Sequence, residues 1–124
     1  MKSFYSCLDP FIIAPQSEQH NLIKDLAETE NGKIIFYGSE DFFVAKTQPF
    51  ILLKLKKISN IDGVIFFTIN QFCYGECFNL KLINDILALK LTIHFARENV
   101  SIYNKSDFED KYIELIGYYQ STFS

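Results

Sequence analysis

Arg97 is the only arginine among 12 basic residues, and it stands beside Glu98 at the end of the apolar run Thr92-Ile93-His94-Phe95-Ala96. A guanidinium's planar fork donates two parallel hydrogen bonds to a phosphate or carboxylate, so Arg97 is a candidate anion clamp. An Arg97–Glu98 ion pair across a sheet edge is the structural alternative. Glu40 follows the flexible pair Gly38-Ser39 and is the candidate catalytic acid or base, or a holder of a sugar hydroxyl or ammonium group. As a helix cap or solvated loop acid it would do neither, and its neighbour Asp41 fits that plainer role. Gln16, Gln19 and His20 fall three to four residues apart, a spacing that shares one helical face. Near a helix N-terminus such a face meets bound anions; an exposed polar first turn is the other reading. Asn70 and Gln71 complete a set of amides suited to hydroxyl groups. His94 is either a second catalytic group or a hydrogen-bonded histidine of the core.

These residues act together only if the chain gathers them. Four apolar runs each break into a polar cluster: Ser3–Cys7 before Leu8-Asp9, Lys33–Tyr37 before Gly38 to Asp41, Gly63–Thr68 before Ile69-Asn70-Gln71, and Thr92–Ala96 before Arg97-Glu98. Fully buried parallel strands read as such runs, and ligands of open α/β sheets bind beyond the carboxyl ends of the strands. Parallel pairing would therefore bring Asp9, Glu40, Gln71, Arg97 and Glu98 to one edge.

Helical signals lie between the runs. Pro15 opens a segment carrying Leu22, Ile23, Leu26 and Ala27, and Asn31-Gly32 closes it, with Gly32 expected in the left-handed conformation. A second helix is expected after a loop at Phe42–Lys46, capped by Asp41 or Thr47, with Lys54, Lys56 and Lys57 on its solvated side. A third carries Phe78, Leu82, Ile83, Ile86, Leu87 and Leu89 after a loop at Phe72–Gly75. Val100–Tyr103 is a short fifth strand. Ser106-Asp107-Phe108-Glu109 matches a capping box and opens a last helix through about Tyr119, beyond which the end frays. The expected fold is one α/β domain over residues 1–124: a three-layer, open, mainly parallel sheet of four to five strands with helices on both faces, resolvase-like or flavodoxin-like.

Composition narrows the function classes. Net charge is −3, so the basic face that duplex nucleic acid demands is missing, and no nucleic-acid partner is expected. No stretch approaches the ~18 apolar residues of a membrane span, no secretory leader is evident, and three cysteines suit a reducing cytoplasm. Cys73 and Cys77 lack the spacing and companions of a zinc site, so buried thiols and no metal are expected. The phosphate-binding glycine motifs of dinucleotide and Walker-type proteins and the G-x-S-x-G elbow do not occur, and no cofactor is expected.

The order of motifs carries two resemblances. Tyr5, Gln19, Leu22, Asp62-Gly63-Val64-Ile65-Phe66-Phe67 and His94-Phe95-Ala96-Arg97-Glu98 resemble the serine recombinase catalytic domain. Ser6 stands where an imitation of that family's nucleophile would be. The family's D-R-x-x-R stretch is replaced by Thr68-Ile69-Asn70-Gln71-Phe72, so this resemblance implies fold and not DNA chemistry. From about Tyr5 to Ile102 the chain resembles more closely the bacterial sporadic carbohydrate cluster family. The residues are Ala14 to Asn21, Asp25, Ser39-Glu40, Asp62 to Phe67, Asn70-Gln71-Phe72 and His94 to Glu98. Leu8-Asp9 replaces the Ser-Arg pair that follows this family's first strand. That resemblance implies a role in surface polysaccharide synthesis, in capsule or lipopolysaccharide, with a sugar or nucleotide sugar as ligand. In that reading Glu40 and His94 are catalytic, and Gln16, Gln19, Asn70, Gln71, Arg97 and Glu98 bind substrate. The rival is a non-catalytic module that forms a homodimer or supports a partner enzyme through loop aromatics Phe42, Phe43, Phe72 and Tyr74.

Overall fold

Phe4, Ser6 and Leu8 point to one side of the first strand and Tyr5 and Cys7 to the other, and all five are buried. Two covered faces explain why this run shows no polar alternation. The computed structural model describes the chain apart from residues 11–13, 40–49, 75–76 and 124. Its elements are β1 (Lys2–Leu8), α1 (Gln16–Thr29), β2 (Gly32–Ser39), α2 (Phe50–Lys57), β3 (Gly63–Phe66), a 3-10 turn (Ile69–Phe72), the short strands β4 (Cys73–Tyr74) and β5 (Cys77–Phe78), α3 (Leu80–Ala88), β6 (Thr92–Phe95), β7 (Val100–Ile102) and α4 (Lys105–Phe123).

The five-stranded sheet runs in the order β2-β1-β3-β6-β7. The first four are parallel, as expected, and β7 returns antiparallel to β6. From β1 the chain steps one way to β2, then reverses to β3 and β6. Right-handed crossovers then put α1 on one face and α2 and α3 on the other. The packing agrees. Ile23, Leu26 and Ala27 of α1 meet Phe4, Leu8, Ile65 and Phe67. Ile51 and Leu55 of α2, Leu82, Ile83 and Ile86 of α3, and Phe108 and Leu115 of α4 share the larger opposite core. The fold is thus a three-layer α/β sheet whose winding reverses between β1 and β3, the crevice where such sheets take ligands.

Several boundaries differ from the sequence expectation, each for a local reason. Asn31, not Gly32, takes the left-handed conformation after α1, with φ of 58°. Gly32 begins β2 instead, because a Cβ there would fall 2.8 Å from the Lys2 carbonyl oxygen and into the Phe4 ring. The strand at Gly63 stops at Phe66 because the chain bends into the 3-10 turn. Phe78 belongs to β5 rather than the third helix; Asn79 caps α3, accepting the Leu82 N–H at 3.1 Å. The last helix is capped two residues earlier than expected. Asn104 accepts the Asp107 N–H at 2.8 Å while the Asp107 carboxylate accepts the Tyr103 N–H at 2.9 Å, and the helix continues to Phe123. Lys54, Lys56 and Lys57 are exposed, as expected. The Phe42–Lys46 loop and the caps at Asp41 and Thr47 lie outside the described residues. Among the described residues no helix is long and apolar enough to cross a membrane.

Gly63 is the tightest point of the sheet's centre. Opposite Thr92 in the β3–β6 pair, its missing side chain lets the Thr92 backbone carbonyl approach to 2.8 Å of where a Cβ would stand. Gly63→Ala must push two central strands apart, so urea unfolding should show a loss of about 2–3 kcal/mol.

Candidate functional site

The carboxyl ends of β1, β3 and β6 do meet, and the first thing found there is a plug. Gln71 is fully buried in the 3-10 turn. Its side-chain oxygen accepts the Thr68 N–H at 3.1 Å, and its nitrogen donates to the Leu8 carbonyl at 3.0 Å and the Cys7 carbonyl at 3.3 Å. Gln19, 1% exposed on α1, does the same for the chain leaving β1. It accepts the Asp9 N–H at 2.9 Å and donates to the carbonyls of Asp9 at 3.0 Å and Ala14 at 3.2 Å. Buried backbone groups require partners, and these two amides supply them where the ladder ends. The structure therefore brings Gln19 and Gln71 to the expected edge with their amide groups engaged by main chain.

Arg97 and Glu98 occupy the tight turn from β6 to β7, which the Asn99 N–H closes on the Ala96 carbonyl at 3.3 Å with Asn99 at φ 56°. The strand has ended at Phe95, yet the two side chains still part. Glu98 turns inward: its carboxylate accepts the Thr68 hydroxyl at 2.7 Å and the Ile69 N–H at 3.0 Å, capping the 3-10 turn. Arg97 turns outward, its side chain 42% exposed and its Nε 3.4 Å from Glu98. Asn70 is half-buried, its N–H donating to the Thr68 hydroxyl at 3.3 Å. Gln16 is exposed at the start of α1, so it and buried Gln19 do not present one polar face. Glu40 and Asp41 lie outside the described residues. Ser6 is buried part-way along β1 rather than standing at its end. Phe72, read from sequence as an exposed loop aromatic, is instead fully buried, its ring centroid 4.7 Å from Phe66 and 5.4 Å from Phe95. Its position in the 3-10 turn points it into the larger core. Phe42 and Phe43, and the side chain of Tyr74, lie outside what is described.

His94 does not join the strand-end group. It faces the α1 side of the sheet, where it meets Thr92 on its own strand, Ser101 on β7 and Glu30 just after α1. Its Nδ1 lies 2.7 Å from the Ser101 hydroxyl and its Nε2 2.9 Å from the Thr92 hydroxyl. Ser101 donates to the Glu30 carboxylate at 3.3 Å, and the Tyr103 hydroxyl donates to the same oxygen. Glu30 as an acceptor fixes the direction of the chain: Ser101 gives its proton to Glu30, so His94 Nδ1–H donates to Ser101, and Nε2 accepts from Thr92. Burial holds the imidazole pKa down at about 4, against the pull of Glu30, and Lys2 and Lys111 add to the depression. Burial alone would raise the Glu30 pKa; the Tyr103 hydroxyl, His94, Ser101 and Lys2 outweigh it and keep the carboxyl below its ordinary range. The Glu30 hydrogen bond in turn raises the Tyr103 pKa. The network thus holds a neutral histidine and an ionised glutamate. Sequence reading missed Glu30, Thr92, Ser101 and Tyr103, since only the antiparallel His94–Ser101 register brings them together.

Among the described residues no three His, Cys, Asp or Glu side chains gather in a way that would hold a metal ion; the Cys73 and Cys77 side chains lie outside them. No family model matches the chain, and neither a curated protein nor a solved structure matches it.

Two outcomes follow from this geometry. Gln71→Ala strands the Thr68 N–H and the Leu8 carbonyl in the interior, and chemical denaturation should show about 2–4 kcal/mol less stability. His94 gives a pH dependence. Between pH 6.5 and about 4 the unfolded chain binds a proton that the folded chain excludes, so stability is complete above pH 6.5 and falls as pH drops through that window. The loss should reach about 3 kcal/mol. Glu30 adds to it only below the ordinary carboxyl value of 4.5. Urea melts from pH 7 to 4 should show this slope in the wild type and a shallower one in His94→Gln.

Proposed function

We propose that the chain serves bacterial surface polysaccharide synthesis in the cytoplasm by binding a sugar or nucleotide sugar at the carboxyl ends of its parallel strands. Arg97 is the anion clamp in this reading. One observation carries it: the guanidinium is held at Nε by Glu98, which is itself anchored by Thr68 and Ile69 after β3, while the Arg97 side chain stays 42% exposed. A cation fixed in this way on rigid backbone loses little freedom when it meets a phosphate. The motif order shared with the carbohydrate-cluster family supplies the pathway. Glu40, just past the last residue of β2, is the acid/base group if a reaction follows binding.

A second reading has its own support. β2 is an edge strand carrying Phe36 at 40% and Tyr37 at 66% exposure, which suits a protein interface as in a homodimer or an assembly with a partner enzyme.

Titration of ¹⁵N-labelled protein with glucose 1-phosphate and UDP-glucose separates the two. Shifts at Arg97, Glu98 and Thr68 amides are expected, with Arg97→Ala weakening binding about tenfold, which is about 1.4 kcal/mol. Its stability should stay within ~0.5 kcal/mol of wild type, since the side chain is half outside. Silence of those amides toward both ligands overturns the site, and a Phe36→Ser, Tyr37→Ser change that alters the sedimentation mass favours the module.

A further inference from the structure

On the flank of α1 away from His94, the helix and β2 enclose a cavity of about 590 Å³. That volume is typical of small-ligand sites. Ser6 lies at its floor, fully buried, and among the described residues its hydroxyl has no hydrogen-bond partner. Leaving such a group unsatisfied costs about 1–3 kcal/mol, so a polar atom brought to it recovers that loss. Ala27 and Ile34 make apolar walls. Lys24 on the helix is exposed at the opening with Glu28 one turn further on, whereas Lys33, beside Ile34 in β2, is directed to the other face of the sheet. At one end the rings of His20 and Tyr37 meet edge to face, 5.7 Å apart.

We propose that this cavity binds a small aromatic anion. The ring lies between the apolar walls and against Tyr37 and His20, its carboxylate or phosphate meets Lys24, and a ring hydroxyl or carbonyl partners Ser6. Flat rings offer large contact area at low entropic cost, and edge-to-face contacts add to it. A lysine ammonium is a point charge without a preset geometry, which admits either head group. The site is separate from Arg97 and does not rest on the sugar reading.

The test is an amide-resolved NMR titration of the full chain with 4-hydroxybenzoate and with phenyl phosphate, against phenol, acetate and inorganic phosphate. One or both aromatic anions should shift Ser6, Ala27 and Ile34, and the tighter of the two identifies the head group. Lys24→Ala should weaken binding at least tenfold, whereas Lys33→Ala should bind as wild type does. Ser6→Ala should leave the melting temperature of the free protein unchanged or higher, yet weaken 4-hydroxybenzoate several-fold, a combination that a packing role for Ser6 would not produce. Arg97→Ala should bind as wild type does. The proposal is overturned if neither aromatic anion moves those amides, if phenol or the ring-free anions bind as well, or if Ser6→Ala binds 4-hydroxybenzoate unchanged.

Discussion

Where two neighbouring parallel strands turn away to opposite faces, their last carbonyls and amides lose the ladder at the moment the chain is still buried. Gln71 meets that constraint between β1 and β3, and Gln19 meets it for the segment leaving β1. A buried unsatisfied backbone group costs more than a typical hydrogen bond contributes, so these amides decide whether the winding can reverse at that point. Everything further out is arranged around the plug. Glu98 caps the turn that carries Gln71, and Arg97 is positioned by Glu98. A residue that holds the crevice shut is also the floor on which any ligand there must rest.

The strands and their direction were legible because burial on both faces leaves unbroken apolar runs and because helices separate them. The polar convergence was legible for the same reason. Which of those polar residues stay open to solvent was not, since Gln19 and Arg97 carry no local mark that one is sealed and the other open. Asn31-Gly32 shows the limit at a single peptide. Both residues tolerate a positive φ, and the choice between them is made by the Phe4 ring on another strand, where only a glycine fits. Phe72 was misread because a short 3-10 turn has no periodicity to declare its inner side. The His94 network required knowing that β7 runs antiparallel, and three residues of a short strand do not announce that.

The unequal faces of the sheet explain the two remaining features together. Five strands about 4.8 Å apart make a surface roughly 19 Å across, whereas one helix with its side chains covers about 10 Å. Three helices pack the larger core, but among the described residues α1 stands alone on its side. Its buried residues pack on β1 and β3 and cover Ile34 of β2 only in part, leaving a margin at either edge. At the β6–β7 margin the margin is closed by polar groups: His94, Ser101 and Thr92 face the α1 side, and Glu30 and Tyr103 reach over them. Such a closure stands only with every donor and acceptor matched, which is why the imidazole stays neutral there. At the β2 margin no such lid forms among the described residues, and the unpartnered Ser6 hydroxyl marks the difference. The same shortage of helix therefore yields a satisfied network on one side and an open cavity on the other.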